Sequence, residues 1–391
     1  MLQNYTCNKK NSVIITFVIA VYNNEKFLEN SVKSITQYKG NEIELVIVDD
    51  GSTDNTPQLV DQIVNGDCRI KAIHQQNQWI YASFNNGIKM ATGEYIFILN
   101  SDDQIVDRGV QILLDAVKRY NHPDVIWNRV VDYYVDEKQN ILGVSHSDLE
   151  FETDLFFPNV KNDTSVLLIP FYSKLTVNQG NLYKRELCVK YPFKNDYYNG
   201  DNVFNFAIMP HINSMVILKE TIYKFFIYST DRNTSIRCWY GYEHSMYNSW
   251  YVDARKMLIN IGQLTQETSE YIKKVRKSYF TSEIRCLLFY SPININEKLK
   301  QIFDKFIDEQ IIDIFEEKEE LEARILSGIR EYCAENIGMR SLADELGFAY
   351  DLVNILSKYE KTADDMENLK KAVYNVNNPH CIGETFYNRL L

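Results

Sequence analysis

The sequence predicts an α/β protein in which a mostly parallel β-sheet is flanked by helices and followed by a helical C-terminal region. Two observations lead to this fold class. From Val13 to about Tyr134, short β-branched runs alternate with segments of helical period, which is the pattern of parallel βαβ units. After Trp250, long segments rich in Glu, Leu and Ile replace the strand-like runs.

The predicted elements follow one another in order along the first part of the chain. Strands are expected at 13–21, 43–48, 70–74, 95–99 and 125–131, and helices at 25–38, from Pro57, at 79–90 and at 107–120. Thr56 is expected to cap its helix, because a hydroxyl directly before a proline at the first helical position is a common start. Ligands of such sheets bind beyond the carboxyl ends of the strands, so the polar residues there are the candidates for a site.

The pattern becomes irregular between Asp136 and Tyr228, where turn residues and aromatics surround short strands such as Met215–Leu218. We expect a mixed α+β half there. The predicted organisation is therefore one domain over residues 1–250, with halves at about 12–135 and 136–250. A second, helical domain is expected over 251–391, with the boundary near 245–255.

Composition and charge exclude several classes of protein. The 391 residues are 45% hydrophobic and 24% charged, which is typical of a globular protein and not of a disordered chain or a coiled coil. A net charge of -11 leaves no basic surplus for a phosphate backbone, so nucleic acid is not an expected partner. The seven cysteines contain no Cys-x-x-Cys pair and are expected to be reduced thiols in a cytoplasm. The longest apolar run, Val13–Tyr22, is too short to cross a bilayer.

Three polar clusters follow predicted strands, at Tyr22–Glu25, Asp49–Asp54 and Asn100–Asp103. Because the carboxyl ends of parallel strands meet at one edge of a sheet, we expect these clusters to face one crevice. Carboxylates in that position suit Mg²⁺ or Mn²⁺ held together with the phosphate oxygens of a ligand. Taken alone, the Asp-Gly-Ser-Thr-Asp run is equally compatible with a turn that leads into a capped helix.

In this order the clusters resemble the family 2 glycosyltransferases of the GT-A fold, along most of the first 240 residues. Ile19–Asn23 is similar to the family's strand ending in Pro-Val-Tyr-Asn, with Ala20 where proline is usual. Val48–Asp54 matches its Val-Asp-Asp-Gly-Ser-Thr-Asp. Asn77–Gly87 is similar to Asn-x-Gly-x-x-x-Ala-Arg-Asn-x-Gly, but it lacks the first glycine, the alanine and the arginine.

The third cluster and three later segments extend the resemblance. Asn100–Asp103 is similar to the family's Asp-Ala-Asp-Asp, and Gly180–Arg185 to its Asn-Lys-Leu-Tyr-Arg-Arg. Gly200–Asn205 is similar to Glu-Asp-x-x-Phe-Asn. Arg232–Arg237 resembles the loop that closes over the diphosphate of the donor.

The resemblance implies an inverting, metal-dependent enzyme and a role for each matching residue. Asp102 is implied to bind Mn²⁺ or Mg²⁺, and Asp201 to be the catalytic base that deprotonates the acceptor hydroxyl. Arg232 and Ser235 are implied to contact the diphosphate. A larger set is implied to bind the nucleotide: Ala20, Val21, Tyr22, Glu25, Asp50, Asn77, Asn100 and Ser101.

Departures from the family pattern leave two alternatives open. Gly200 stands where glutamate is common, and a register shifted by one residue would place Asn202 at the catalytic position. Asn100 replaces an aspartate and Phe84 replaces the arginine, so the alternative function is a catalytically weak glycosyltransferase-like binding subunit of a glycan-assembly complex. We expect aspartate at position 100 to leave activity equal or to improve it.

The resemblance further implies a hexosyl- or N-acetylhexosaminyltransferase that serves bacterial polysaccharide biosynthesis or protein glycosylation. Its donor is expected to be a nucleotide sugar, linked to UDP, and its acceptor a glycan, a lipid-linked oligosaccharide or a protein. We expect a cytoplasmic protein. Peripheral association with the inner face of the membrane, and an oligomer formed through the C-terminal helices, remain open.

Overall fold

The computed structural model describes residues 12–146, 151–173, 175–177, 180–194, 200–228, 241 and 243–293, with 297–298, 301–302, 314–315, 320–321 and 324. The chain divides into two compact units. The first unit contains Met1–Asn233 and Val252–Thr265, and the second contains Thr234–Tyr251 and Gln266–Leu391.

The described part of the first unit carries ten strands that belong to one mixed sheet. They are β1 (Ile15–Val21), β2 (Ile43–Asp49), β3 (Ile70–His74), β4 (Tyr95–Ile98), β5 (Gln104–Ile105), β6 (Val125–Val135), β7 (Ile141–His146), β8 (Leu155–Phe157), β9 (Leu182–Lys184) and β10 (Met215–Tyr228). The strand order is β3-β2-β1-β4-β9-β6-β10-β5, while β7 pairs with β6 and β8 with β10. Strands β1 to β4 are parallel, and β10 runs parallel to β6.

Helices of the described chain alternate with the parallel strands in the first unit and continue into the second unit. They are α1 (Leu28–Thr36), α2 (Thr56–Gly66), α3 (Ile80–Met90), α4 (Gly109–Arg119), α5 (Leu168–Tyr172), α6 (Arg185–Lys190), α7 (Gly200–Ile208), α8 (Glu243–Asn260) and α9 (Gln266–Phe289). The predicted domain boundary at residue 250 lies inside α8. Each helix within the described ranges is too short or too polar to cross a membrane.

The central strands are buried on both faces, which explains their continuous apolar sequence. Every residue of β2 is buried, and in β1 only Ala20 is partly exposed. Strands that are covered by helices on both sides have this uninterrupted pattern, because neither face meets water. The predicted fold class, a sheet with helices on its faces followed by helical segments, is confirmed.

Two local predictions were wrong. The hydroxyl of Thr56 does not cap α2; the helix begins at Thr56 itself, and the buried hydroxyl accepts a hydrogen bond from the backbone N–H of Asn24 at 3.0 Å. The region expected to hold only short strands contains β10, which continues from Met215 to Tyr228. Pairing with β6 over most of its length sustains β10, and residue-by-residue patterns do not report such pairing.

In the second unit, α8 and α9 share a buried polar contact. Arg276 is fully buried, and its Nε donates to Asn248 Oδ1 at 2.9 Å while its Nη2 lies 3.5 Å from Glu283 Oε2. The other oxygen of Glu283 lies 2.9 Å from Nδ1 of His244. A buried guanidinium requires such partners, because an uncompensated charge in the protein interior is strongly destabilising.

Helix α3 packs closely on the parallel strands at Gly87, and this contact is testable. A Cβ at Gly87 would lie 2.5 Å from Val18 Cγ1 and 3.2 Å from Val48 Cγ2. We expect Gly87→Ala to lower the free energy of unfolding by about 1–3 kcal/mol, the usual effect of overpacking a core. Denaturant unfolding measures this change.

Gly66→Ala is the matched control, since Gly66 is also helical and no atom lies within 4 Å of its added Cβ. That variant should be as stable as the parent or slightly more so. A Gly87→Ala protein as stable as Gly66→Ala would contradict the close packing of α3.

Candidate active site

The loop after β1 is bound to the loop after β2 by hydrogen bonds to the main chain. Asn23 donates its N–H to Ser52 Oγ at 2.9 Å and accepts the N–H of Thr53 on its side chain at 2.7 Å. Asn23 has a φ of 49°, a left-handed conformation that asparagine tolerates better than most residues. The first two polar clusters are therefore joined, and they sit at the carboxyl ends of neighbouring parallel strands.

The third cluster is joined to the first through Ser101. Asn24 Nδ2 donates to Ser101 Oγ at 2.8 Å, and the hydroxyl of Ser31 donates to the carbonyl of Ser101 at 2.9 Å. Glu25 supports the second loop, since its Oε2 accepts the N–H of Asn55 at 3.0 Å. The strand order thus brings all three clusters to one edge of the sheet.

The two aspartates of the second cluster have different environments. Both carboxylate oxygens of Asp49 have partners within the protein. Its Oδ1 accepts the N–H of Ser52 at 3.1 Å, and its Oδ2 lies 2.8 Å from Nδ1 of His74. This hydrogen bond with Asp49 raises the pKa of His74. Asp49 therefore has a structural role, which leaves Asp50 as the carboxylate of this pair for a ligand.

Asp50 is only 4% exposed and is oriented from two sides. Its Oδ1 accepts the N–H of Gln78 at 2.8 Å and Nε2 of Gln75 at 2.7 Å, while its own N–H donates to the carbonyl of Val21 at 2.9 Å. Within the described part of the chain both side-chain bonds use Oδ1, so Oδ2 keeps its lone pairs for a further donor. Tyr22, directly after Val21, is 50% exposed.

Gly51 lets the segment after β3 approach the second cluster. Its φ is +78°, and a Cβ there would lie 2.8 Å from the backbone nitrogen of Asn77. Both features exclude other residues. Asn77 is exposed beside this contact. Ala20, the second-last residue of β1, is partly exposed. These two residues, which the resemblance implies for the nucleotide, are therefore at least partly open to solvent.

Asp103, the last residue of the third cluster, is buried and is held by three donors. Its Oδ2 accepts the hydroxyl of Tyr223 at 2.6 Å and Nδ2 of Asn100 at 2.8 Å, and its Oδ1 accepts the N–H of Phe226 at 2.9 Å. Burial, followed by the negative charge of neighbouring Asp102, raises the pKa of Asp103. Asn100 is thus a donor to a buried carboxylate, which explains an amide where the resemblance expects an acid.

The donor set at this loop fits a divalent cation bound mainly by its ligand. Within the described ranges no three His, Cys, Asp or Glu side chains lie close enough to form a complete metal cage. Asp103 is committed to Tyr223 and Phe226, so half-buried Asp102 is the carboxylate of the loop that suits a metal. Mg²⁺ commonly takes one or two protein carboxylates and completes its shell with water and phosphate oxygens.

Asp201 stands in the first turn of α7, and its carboxylate is held locally. Its Oδ1 accepts the N–H of Asn202 at 2.8 Å, and its carbonyl accepts Nδ2 of Asn205 at 2.9 Å. Burial raises the pKa of Asp201 above the ordinary value, and the N–H of Asn202 offsets only part of this effect. A carboxylate with a raised pKa is a better proton acceptor near neutral pH.

Tyr81 of α3 explains the glycine that precedes Asp201. The backbone N–H of Gly200 donates to the hydroxyl of Tyr81 at 3.0 Å. A Cβ at position 200 would lie 2.6 Å from Cε2 and Cζ of the Tyr81 ring. The Tyr81 ring therefore fills the place where the glutamate of the family pattern would begin.

The residue that replaces the family's arginine belongs to an aromatic cluster beneath this contact. Phe84 is 1% exposed and packs on Phe193, with 5.7 Å between ring centroids. Phe193 is stacked on Tyr81 at 6.0 Å and on Phe204 at 4.2 Å. Phe204 precedes fully buried Asn205, whose Oδ1 accepts the hydroxyl of Tyr183 at 3.0 Å. An aromatic core replaces a charged position here.

The structure adds residues to the site that sequence reasoning did not identify. These residues are Gln75, Gln78, Tyr81 and Tyr223, and each contacts a candidate residue or its neighbour. Asn24 was part of the first polar cluster but had no assigned role, and it binds Ser101. Gln75 and Gln78 could have been identified from the sequence, because they are polar residues that directly follow the predicted strand at 70–74. Nothing in the sequence indicated Tyr223, because only the pairing of β10 brings it to the third cluster. Arg232 and Ser235 lie outside the described residues.

Comparison with known proteins gives a match over part of the chain. Residues 16–172 match the family described as glycosyl transferase family 2. Glycosyltransferase GlyG of Streptococcus pneumoniae serotype 4 is 36% identical over 118 residues, which are 30% of this chain and 39% of GlyG. Glycosyltransferase GlyA of the same organism is 26% identical over 216 residues, which are 54% of this chain and 30% of GlyA. The chain therefore spans well under two thirds of these relatives.

A solved structure shows the same fold. The crystal structure of S. aureus TarS 1-349 in complex with UDP-GlcNAc has a TM-score of 0.52 and 16% sequence identity to this chain. The likeness covers 93% of this chain and 92% of that chain. It confirms the GT-A fold that the sequence resemblance implied.

The contact of Asn100 with Asp103 changes the expectation for aspartate at position 100. In Asn100→Asp a second carboxylate replaces a donor 2.8 Å from Asp103 Oδ2. At low pH a protonated carboxyl can still donate, whereas at higher pH two like charges repel each other. We expect the variant to lose stability relative to the parent, and to lose more at pH 8 than at pH 5. Thermal unfolding at both pH values measures the difference.

Asn100→Ala is the control, because it removes the donor without adding a charge. Its loss should be about 1–3 kcal/mol, the usual result of leaving a buried acceptor unpaired. This loss should grow with pH less than the loss of Asn100→Asp does, because Asn100→Ala removes a donor to Asp103 but adds no second charge. An Asn100→Asp protein whose deficit grows with pH no more than that of Asn100→Ala would show that the two carboxyl groups do not interact.

Proposed function

We propose that the protein is a family 2 glycosyltransferase that uses a nucleotide sugar, because residues 16–172 match glycosyl transferase family 2. The proposed enzyme is inverting and metal-dependent. It moves a hexose or N-acetylhexosamine to a glycan, a lipid-linked oligosaccharide or a protein. The UDP-GlcNAc in the TarS crystal structure supports UDP as the nucleotide of the donor.

One observation carries the proposal: a single helix start connects the candidate nucleotide carboxylate to the candidate base. Asp50 is bound to the N–H of Gln78, two residues before α3 begins. One turn further on, Tyr81 of α3 accepts the N–H of Gly200, the residue before Asp201. A donor held at Asp50 would therefore contact the segment that also binds the residue before Asp201, a partly exposed carboxylate with a raised pKa.

We assign the nucleotide to the rim formed by the first two clusters. Asp50 would accept an N–H of the base on Oδ2, because Oδ1 is engaged by Gln75 and Gln78. Tyr22 would pack on the base, since half of its surface is exposed where β1 ends. Main-chain groups of Ala20 and Val21 would form the floor.

Other nucleotide-site residues receive narrower roles than the resemblance implied. The Glu25 carboxylate accepts the N–H of Asn55 and would shape the site without reaching the ligand. Asn77 would lie at the exposed rim. Asn100 binds Asp103 and Ser101 binds Asn24, and both contacts stabilise the third loop. Only the polar atoms of Asn100 and Ser101 that are not used in these contacts would face the ribose.

Asp102 would hold Mn²⁺ or Mg²⁺ together with the diphosphate of the donor. When bound, the cation would neutralise the charge that develops on the leaving diphosphate. Arg232 and Ser235 are proposed as further diphosphate contacts on the resemblance alone.

Asp201 would take the proton of the acceptor hydroxyl as that oxygen attacks the anomeric carbon. The match of Phe204 and Asn205 to the family motif supports this register, because both side chains are buried and hold α7 in place. A single base with in-line displacement leads to inversion at the anomeric carbon.

The binding-subunit alternative rests on Asn100, and the contact of its amide with Asp103 weakens it. An amide that stabilises a buried carboxylate has a structural purpose and is compatible with an active site. A cytoplasmic location, contact with the inner face of the membrane and assembly through the C-terminal helices remain proposals.

Asp201→Asn tests the proposed base. The amide is nearly isosteric but cannot accept the proton, so sugar transfer should fall by about 10²-fold or more. Nucleotide binding should remain, because the contacts at Asp50 and Asp102 are unchanged. Release of UDP from a panel of UDP-sugars measures turnover, and calorimetry measures UDP binding.

Asn202→Ala is the parallel variant, and it tests the shifted register. It should retain most of the activity; an inactive Asn202→Ala beside a fully active Asp201→Asn would move the base by one residue. In the parent, activity should fall as the pH drops through the raised pKa of Asp201, because the carboxylate must be ionised to accept a proton. An acidic limb in the ordinary aspartate range would contradict the raised pKa.

Asp102→Ala tests the metal site. In the parent, we expect UDP to raise the thermal unfolding temperature more with Mn²⁺ than without it. The variant should show the same UDP effect in both conditions, because it lacks the carboxylate that holds the cation. Asp107→Ala is the matched control, since Asp107 is an exposed carboxylate in the following loop. Metal-independent stabilisation of the parent would contradict a metal-dependent enzyme.

A further inference from the structure

Trp79 has a backbone conformation that side chains rarely adopt. Its φ is 72° and its ψ is 164°, a region used almost only by glycine. The residue also stands where the family pattern has its first glycine. The chain therefore keeps the glycine conformation but places its largest side chain there, at a steric cost that requires some compensation.

Hydrogen bonds on both sides of Trp79 hold this strained conformation. Its N–H donates to Asn77 Oδ1 at 3.3 Å, and its carbonyl accepts both the N–H and the hydroxyl of Ser83 at 3.1 Å. The preceding residue, Gln78, is bound to Asp50. The backbone around Trp79 is thus fixed to the candidate nucleotide carboxylate and to the first turn of α3.

Burial does not explain the tryptophan. Trp79 is 54% exposed and is followed by Ile80, which is 46% exposed. Two other tryptophans of the described chain, Trp127 and Trp250, are 0% and 5% exposed. Half of the Trp79 surface is therefore open to solvent, and an exposed aromatic face of this size is typical of a binding site.

The position of Trp79 relative to Asp50 indicates what it contacts. Strand β2 lies between β1 and β3, and Asp50 follows β2. On the β1 side, the N–H of Asp50 binds Val21, and exposed Tyr22 comes next. On the β3 side, Oδ1 of Asp50 binds Gln78, and exposed Trp79 comes next. The two residues bound to Asp50 from neighbouring strands are thus each followed by an exposed aromatic residue.

We propose that Trp79 is a specificity-determining residue that contacts the plane of the donor nucleobase, on the side of Asp50 away from Tyr22. This inference rests on the proposed function and extends it. A base that donates an N–H to Asp50 Oδ2 presents its two faces to the neighbouring strand ends. Aromatic contact with a base strengthens binding by about ten-fold, and it requires a rigidly placed ring. The fixed backbone of Trp79 supplies that rigidity.

The test compares the affinities of the parent, Trp79→Gly and Trp79→Phe for UDP, uridine and pyrophosphate by calorimetry. Trp79→Gly should bind UDP and uridine about ten-fold more weakly and pyrophosphate as the parent does. Trp79→Phe should stay within about three-fold of the parent, because it keeps an aromatic ring. Without ligand, Trp79→Gly should unfold at the same or a higher temperature, because glycine adopts this φ without strain.

Several outcomes decide the matter. Unchanged uridine affinity in Trp79→Gly would overturn the inference, and so would an equal loss for pyrophosphate, which has no base. If Trp79→Gly unfolds at a much lower temperature than the parent, the side chain is structural and the inference is wrong. A parent that binds no nucleotide would instead remove the proposed function. Asp50→Ala is tested in parallel. If Asp50→Ala weakens UDP binding while Trp79→Gly does not, the nucleotide site is supported and the inference about Trp79 is wrong.

Discussion

The buried carboxylate of Asp103 is the constraint on which the geometry of the site depends. A carboxylate in the protein interior is tolerated only where donors surround it. Here the donors come from its own loop, through Asn100, and from β10, through Tyr223 and Phe226. The loop after β4 is therefore fastened to a strand more than a hundred residues further along the chain. Asp102, the residue directly before Asp103, is thereby held at the edge of the sheet.

The departures of this chain from the family pattern are local solutions to packing and charge. Gly200 leaves room for the ring of Tyr81, which in turn accepts the N–H of Gly200. Asn100 supplies a donor where an acid would repel Asp103. Phe84 enters an aromatic cluster with Phe193. Each substitution fits its new neighbour, and none by itself indicates that the site has lost its chemistry.

Rigid support behind Asp201 is consistent with a group that must transfer a proton. Asn205 binds the carbonyl of Asp201 and accepts the hydroxyl of Tyr183, which is itself fully buried. This network holds the first turn of α7 through Asn205, while Tyr81 of α3 holds it through the N–H of Gly200. A carboxylate held in one orientation would lose little free energy to reorganisation when it accepts a proton.

The sequence by itself determined the parallel half of the sheet, because strands covered on both faces have uninterrupted apolar sequences, as in Ile43–Asp49. It also determined which polar clusters meet, since successive parallel strands place their carboxyl ends together. Only the tertiary structure decided that Asp49 is structural, while Asp50 keeps an acceptor atom that no described residue occupies. It also decided that Thr56 binds Asn24 and does not cap its helix. Tyr81 and Tyr223 reach the site through packing between distant segments. Such contacts depend on the distance between folded elements, which no local pattern of residues encodes.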